Sequence, residues 1–368
     1  MINRQNKVGI LVLIIGILFM MGCGQNEKEN ETSGQESNIT QEPTSVPNED
    51  NDTDKIRIGF AQVGHESDWR KAATECAMET FSEENGYELN FVDADNDSDY
   101  QKESVMKFID EKMDYIIIDP IVTEGWNKVL RAAKQEKIPV FLIDRTIDCD
   151  ENLYEAWFGS DFEAEGQAAG AWLEAYLDNT GREIEDINIV TVAGTKGSAA
   201  QIGRTRGFDS YVDKHSNWSK LAEKDGKFTK EDGKQVMKQF LAKHEDIDVV
   251  VCHNDNEAWG VMEALDEAGI TYGVGGNVII ISFDAVHDGL SFMLEGKLNA
   301  DFECNPLSAP YVADAIKTLE NGGKIDNKTN YIDEACFQAE DIVGVIEFGG
   351  KNVEMITVTE TVLESRAY

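Results

Sequence analysis

The chain has little positive charge. Its 368 residues contain 33 lysines and arginines against 70 aspartates and glutamates, a formal net charge of −37. A surface of this sign repels nucleic-acid phosphates and anionic lipid headgroups. The composition therefore excludes nucleic acid as an expected partner. Hydrophobic residues make up 41% of the chain, which is ordinary for a protein with a folded core.

Cysteine pairs and recognisable catalytic or metal motifs are also lacking. The six cysteines form no C-x-x-C pair and no disulfide framework, although Cys304 and Cys336 could approach each other in strands between two lobes. There is no H-E-x-x-H, no G-x-S-x-G and no phosphate loop ending in GK[ST]. The aspartates of Asp93–Asp99 alternate as in a calcium loop, but Ser98 and Ser104 replace its turn glycine and closing glutamate. We expect no metal, no cofactor and no catalytic residues.

No apolar run reaches the roughly 20 residues of an ordinary membrane-spanning helix. The N-terminal run Val8–Met21 follows Arg4 and Lys7 and leads through a glycine to Cys23. This pattern resembles a bacterial lipoprotein signal, in which the cysteine is lipidated and becomes the first residue of the mature chain. The resemblance implies a signal peptide over residues 1–22 and a lipid anchor on Cys23.

The segment 23–54 has almost no large apolar side chains and is rich in Glu, Asn, Thr, Ser and Pro. Such a segment cannot bury enough surface to offset its chain entropy. We predict a disordered tether that holds the folded part away from the membrane. The protein is then extracytoplasmic, on the outer face of a Gram-positive membrane or, alternatively, in a periplasm.

From Lys55 to about Asn305, the chain repeats a short apolar run, a polar cluster and an amphipathic helix. Runs such as Tyr115–Ile118 suit strands covered on both faces, and the alternation predicts parallel, doubly wound α/β sheets. The pattern recurs on both sides of Phe158, which indicates two lobes. In such sheets, ligands bind beyond the carboxyl ends of the strands. The polar clusters expected there are Gly64–Arg70, Asp119–Trp126, Asp144–Thr146, Gly194–Arg206, His253–Glu257 and Ser282–Ala285.

Several separated motifs within Lys55–Glu320 resemble the periplasmic sugar-binding proteins of ABC importers. In chain order they read GFAQVGHESDWR, IDPIVTEGW, IPVFLIDRTID, GRTRGF, FTKEDGKQVM, HNDNEAWG and SFDA. The ribose and galactofuranose binders share this layout, and the galactofuranose type is nearer. The resemblance implies the type I periplasmic binding protein fold, in which two Rossmann-like lobes with parallel sheets are joined by a three-strand hinge.

The resemblance also implies how the chain divides. The N-terminal lobe is expected to comprise residues 55–157 with 305–327. The C-terminal lobe is expected to comprise residues 158–304 with 328–368.

Family roles transfer to individual positions and imply a set of ligand-binding residues. These are Glu66, Trp69, Arg70, Asp119, Asp144, Arg145, Arg204, Phe228, Asn254 and Asp284. Arginine forks donate to adjacent sugar hydroxyls, carboxylates accept from them, and aromatic rings cover the C–H face of the sugar. Asp119 departs from both types, since the ribose type has Asn there and the galactofuranose type has a non-polar residue. Trp126 is interpreted as a packed helix residue.

The function that the resemblance implies is a monomeric solute-binding lipoprotein that closes on a monosaccharide and delivers it to an ABC permease. Alternatively, the same module presents a sugar or signal molecule to a chemoreceptor or sensor kinase. An enzyme could use Glu66 with Asp144 or Asp284 as an acid/base pair. We expect the nearby arginines to keep these carboxylates ionised, which disfavours an enzyme. The sugar and its ring form stay open.

Overall fold

The computed structural model describes residues 55–368. The predicted signal peptide, the lipidated Cys23 and the tether over residues 23–54 lie outside the described residues. Within the described part of the chain, no helix combines the length and the apolar character needed to cross a membrane.

The first sheet is six-stranded and entirely parallel. Its strands are β1 (Ile56–Gln62), β2 (Tyr87–Asp93), β3 (Tyr115–Ile118), β4 (Val140–Ile143), β5 (Ala156–Gly159) and β11 (Thr329–Tyr331). They lie in the order β11-β5-β4-β3-β1-β2. Every residue of β3 and β4 is buried, as expected for strands that have helices on both faces.

The second sheet has eight strands. They are β6 (Ile187–Ala193), β7 (Trp218–Asp225), β8 (Val249–Cys252), β9 (Ile279–Asp284), β10 (Ala300–Glu303), β12 (Cys336–Gln338), β13 (Val345–Phe348) and β14 (Lys351–Thr357). They lie in the order β13-β14-β12-β10-β9-β8-β6-β7. The core of this sheet is parallel, β12 runs antiparallel to β10, and β13 pairs with β14 in an antiparallel hairpin.

Helices cover both sheets. They are α1 (Asp68–Thr80), α2 (Ser98–Asp110), α3 (Asn127–Glu136), α4 (Phe162–Asn179), α5 (Ala199–Val212), α6 (Lys230–Leu241), α7 (Asp255–Ala268), α8 (His287–Leu294), α9 (Ala309–Glu320) and α10 (Glu360–Glu364). Several begin at a side chain that accepts a backbone amide of the first turn, which satisfies a donor without a helical partner. Ser67, Ser198 and Asn254 do this for α1, α5 and α7, so polar N-caps stand beside the carboxyl ends of strands.

The chain passes between the two sheets three times, after β5, after β10 and after β11. The predicted fold class of two Rossmann-like lobes is confirmed. The lobe limits predicted after residues 157 and 327 come too early, because β5 and β11 still pair within the first sheet. The limit predicted after residue 304 follows the end of β10.

Candidate ligand-binding site

A cavity lies between the two lobes. Its lining residues are Glu66, Ser67, Trp69, Arg70, Asp144, Arg145, Phe162, Ala200, Arg204, Phe228, Asn254, Asp284 and Cys304. The structure thus brings every predicted site residue except Asp119 to one cavity, while their contact with a ligand stays a prediction.

The two lobes contact each other around this cavity. The backbone amide of Asp68 donates to Asn256 Oδ1 at 3.0 Å, and Asn256 Nδ2 donates back to Asp68 Oδ2 at 2.8 Å. A backbone bond of 3.1 Å runs from the amide of Thr123 to the carbonyl of Gly197. Because Asp68 and Thr123 belong to the first lobe and their partners to the second, the structure has the arrangement of a closed cleft.

Arg70 organises the carboxylates of the first lobe. It stands in the first turn of α1, and its Nε donates to Glu66 Oε1 at 3.0 Å. Its Nη2 donates to Asp144 Oδ2 at 2.9 Å, and its Nη1 donates to Asp119 Oδ2. Asp119 is fully buried and does not line the cavity. All three nitrogens of Arg70 therefore serve protein carboxylates, and Asp119 reaches the site through Arg70.

Unlike Arg70, Arg145 has guanidinium nitrogens without a hydrogen-bond partner in the described part of the chain. Its Nη2 donates to Glu66 Oε1 at 3.4 Å, and the guanidinium lies 5.0 Å from the centre of the Phe228 ring. Among the described residues, its buried Nε and Nη1 have no hydrogen-bond partner, and neither has Glu66 Oε2. A buried polar atom without a partner costs about 1–3 kcal/mol. These donors and this acceptor are therefore the atoms that a ligand hydroxyl would satisfy.

In the second lobe, Arg204 organises the polar groups of the site as Arg70 does in the first lobe. It projects from α5, its Nε donates to Glu165 Oε2 at 2.6 Å, and its Nη2 donates to Asp284 Oδ1 at 3.2 Å. Its Nη1 donates to the carbonyl of His253. Like Arg70, this arginine fixes the positions of its partners, and it places the Asp284 carboxylate at the cavity.

Aromatic side chains close the remaining walls. Trp69, Phe162, Phe228 and Cys304 belong to one buried cluster. Trp69 Nε1 donates to the carbonyl of Cys304 at 2.6 Å, which fixes its ring. Trp69 therefore serves both as a packed residue of α1 and as a wall of the cavity.

The backbone is strained at three predicted site residues. Asp144, Phe228 and Asp284 have φ angles of 56°, 63° and 100°. Residues other than glycine rarely adopt such values, and each costs about 1–3 kcal/mol unless its surroundings enforce it. All three residues line the cavity, although other non-glycine residues with positive φ angles, such as Lys112 and Lys137, do not.

The conformation of Phe228 is enforced by its neighbours. Its amide donates to Glu257 Oε1 at 2.8 Å, and its carbonyl accepts from Asn254 Nδ2 at 3.0 Å. Asn254 Oδ1 in turn accepts the amide of Glu257 at 2.9 Å. A Cβ at Gly194 would lie 1.9 Å from the ring, so only glycine leaves room for Phe228 there. The side-chain amide of Asn254 therefore shapes the site by holding the backbone of Phe228 and the start of α7.

The carboxylates of the cavity differ in their acidity. Burial raises the pKa of Glu66, but Arg70 and Arg145 outweigh it and the pKa is lowered. For Asp284, burial dominates over Arg204 and raises the pKa well above its usual range. The nearby arginines therefore determine the direction of the pKa shift at Glu66, whereas burial determines it at Asp284. The physical reason is that the buried Asp284 carboxyl loses its hydration, which disfavours its charged form.

Sequence reasoning missed two residues of the second lobe. Phe162 lines the cavity and Glu165 holds Arg204. Both residues lie in the first turn of α4, which begins at Phe162 and lies outside the polar clusters that the sequence singled out. Asp161, whose side chain accepts the amide of Ala164, was the available signal for a helix start here.

Two further interpretations concern packed residues. Trp126 is fully buried and donates through Nε1 to the carbonyl of Val122 at 2.9 Å, which confirms it as a packing residue. Cys304 and Cys336 are both buried and are free thiols in the structure.

Glu165 predicts a pH dependence of stability. Burial outweighs Arg204 and raises its pKa from 4.5 to about 7. A raised pKa contributes stability that is fully present below the unfolded value and is lost as pH rises through the folded value. We expect the melting temperature of the sugar-free protein to fall between about pH 5 and pH 8, and the fall to be smaller in Glu165→Gln. Calorimetry across this range measures it.

The matched control is Glu163→Gln. This side chain lies on the same helix but is partly exposed and pairs with Arg206 at 3.0 Å. It should leave the pH profile unchanged. A Glu165→Gln profile with the same slope as the wild type would contradict the assignment.

Comparison with known proteins agrees with the fold and the cleft, which define a two-lobed ligand-binding protein. The family model described as periplasmic binding protein domain matches residues 58–319. The chain therefore belongs to this family, and the resemblance seen in the motifs is confirmed.

Individual relatives share most of their length with the chain. It is 33% identical to the galactofuranose-binding protein YtfQ of Escherichia coli over 277 residues, which cover 74% of this chain and 85% of that protein. A solved structure from Mycobacterium smegmatis in complex with β-D-fucofuranose is 37% identical and has a TM-score of 0.73, covering 77% and 91% of the two chains. The fructose-binding periplasmic domain of the hybrid two-component system BT1754 is 26% identical with a TM-score of 0.69, covering 77% and 90%.

Proposed function

We propose that this protein is the solute-binding component of an ABC importer and that it captures a monosaccharide in the interlobe cavity. The observation that carries the proposal is the set of buried, unpartnered atoms Arg145 Nε, Arg145 Nη1 and Glu66 Oε2 on residues that line the interlobe cavity. Donors and an acceptor side by side match vicinal hydroxyls, each of which both donates and accepts. The site is proposed to bind its ligand without altering it, so the protein is not an enzyme.

The sugar is proposed to be bound as a furanose related to galactofuranose. Relatives at 33% and 37% identity are named for galactofuranose or hold β-D-fucofuranose. All ten predicted residues are proposed to serve the site, with Asp119 acting through its bond to Arg70. Trp69 and Phe228 would cover the apolar face of the ring. Hinge closure would then trap the sugar and present the closed form to a permease.

The test is a thermal titration of residues 55–368 with D-galactose, L-arabinose, D-fucose and D-ribose. A ligand that binds only the folded state adds about 2.7 kcal/mol of stability at 100 times its dissociation constant. We expect a clear rise with at least one of the first three sugars and a smaller rise with ribose. A flat response to every sugar, from folded protein free of bound ligand, would overturn the proposal.

A sensor is the second candidate, since a similar fructose-binding domain is part of a two-component system. Deleting the gene separates the two functions. Loss of uptake of the identified sugar supports an importer, whereas normal uptake with loss of the transcriptional response to that sugar supports a sensor.

The N-terminal residues are proposed to anchor a monomer on the outer side of the cell membrane through a lipid on Cys23. A hydrocarbon chain adds about 0.8 kcal/mol of membrane affinity per buried CH₂ group. We expect Cys23→Ala to move the protein from the membrane fraction to the soluble fraction. Retention of the variant in the membrane fraction would contradict a lipid anchor.

A further inference from the structure

The segment Arg366–Tyr368 returns to the rear of the binding site. It follows α10, and Arg366 Nε donates to the carbonyl of Ala285 at 2.6 Å. Arg366 Nη2 lies 3.4 Å from the carbonyl of Asp284. One guanidinium thus holds two successive carbonyls of the turn that carries the Asp284 carboxylate, although Arg366 does not line the cavity.

This turn needs external support. Asp284 and Ala285 have successive φ angles of 100° and 50°, which are unfavourable for residues with a Cβ. Two buried carboxylates bind the backbone amides of the turn. The amide of Ala285 donates to Asp301 at 3.1 Å, and the amide of Val286 donates to Asp255 at 2.9 Å. Arg366 binds the backbone carbonyls of the same turn, so both its amides and its carbonyls are held by side chains.

Arg366 is itself tied to the crossings between the lobes. Its Nη1 donates to Glu303 Oε1 at 2.8 Å, and Glu303 Oε2 accepts the amide of Ala335 at 2.8 Å. The Tyr368 hydroxyl also donates to Glu303, and the Tyr368 carbonyl accepts the amide of His287 at 2.8 Å. Glu303 ends β10 and Ala335 precedes β12, so Arg366 joins the Asp284 turn to two of the three crossings.

We propose that Arg366 is a positioning residue of the ligand site, which holds the Asp284 turn in its strained conformation and thereby sets the affinity for the sugar. The predicted effect of Arg366 on sugar affinity rests on the proposed function. The predicted effect of Arg366 on the conformation of the turn does not depend on that function. Since Asp284 also receives Arg204 at 3.2 Å, a relaxed turn would displace both the acceptor and its arginine.

The affinity test compares the wild type with Arg366→Ala and Arg366→Lys by calorimetric titration with D-galactose and L-arabinose. Because the charge-assisted bonds that hold the Asp284 turn are lost, we expect Arg366→Ala to bind at least about tenfold more weakly. Arg366→Lys should be intermediate, because an ammonium can reach one carbonyl but lacks the planar fork. Arg206→Ala is the matched control, since that arginine pairs with Glu163 outside the cavity.

Hydrogen exchange in the sugar-free protein gives the second readout. We expect faster exchange of the amides of Ala285, Val286 and His287 in Arg366→Ala, with the amides of α7 unchanged. Wild-type affinity in a folded Arg366→Ala variant, or unchanged exchange at these three amides, would overturn the positioning role. Failure of the wild type itself to bind any sugar would overturn the proposed function, while the exchange result would still decide the role of Arg366.

Discussion

Replacing Arg145 by alanine is expected to weaken sugar binding at least about 100-fold, because two charge-assisted hydrogen bonds of about 1.5–3 kcal/mol each are lost. Its Nε and Nη1 are buried donors that have no hydrogen-bond partner among the described residues. The variant also loses the contact of the guanidinium with the Phe228 ring at 5.0 Å. Titration calorimetry with the sugar identified in the thermal panel measures the loss.

The same substitution should change the stability of the sugar-free protein little. Arg145 meets Glu66 at 3.4 Å and Asp144 at 3.6 Å, and both carboxylates keep their shorter bonds to Arg70. Arg145→Lys should bind with intermediate affinity. Arg182→Ala, which removes an exposed pair with Glu185, should bind as the wild type does. Binding by Arg145→Ala within threefold of wild type would show that the ligand does not use these donors, since threefold is only about 0.7 kcal/mol.

Much of the site could be predicted because parallel sheets impose its location. Asp144 and Asp284 follow apolar runs that form β4 and β9, and the carboxyl ends of such strands face one cleft. The position of each residue directly after a predicted strand was therefore enough to predict that these side chains meet at one cleft. The division of labour between them was not predictable, since Arg70 and Arg145 look alike in the sequence but differ in how many partners they find.

The parts that escaped prediction depend on tertiary contacts. Strand β7 is an edge strand with a mostly polar sequence, so it lacks the apolar run that marks a buried strand. The packing of β13 and β14 could not be assigned, because their hairpin joins the sheet only through β12. The raised pKa of Asp284 depends on the sum of all surrounding atoms, which its nearest charged neighbour does not reveal.

Replacing Arg70 by alanine is expected to destabilise the folded protein by about 3–5 kcal/mol, the usual cost of removing one partner from a buried ion pair. Its side chain is the shared partner of Glu66, Asp119 and Asp144, all of which are buried. The substitution leaves three carboxylates of the first lobe, and Arg145, the other guanidinium of that lobe at the cavity, contacts Glu66 and Asp144 only at 3.4 and 3.6 Å. Urea unfolding near neutral pH measures the loss, and Arg145→Ala is the matched control at the same cavity.

The pH dependence of this loss distinguishes charge from packing. In the wild type, the lowered pKa of Glu66 contributes stability that is present above its unfolded value and is lost as pH falls through the folded value. Without Arg70, burial is expected to raise the carboxyl pKa values, and protonation then relieves the unpaired charges. The stability gap between Arg70→Ala and the wild type should therefore narrow as pH falls from about 7 towards about 5. A gap that is the same at both pH values would assign the loss to the vacated volume and not to the uncompensated carboxylates.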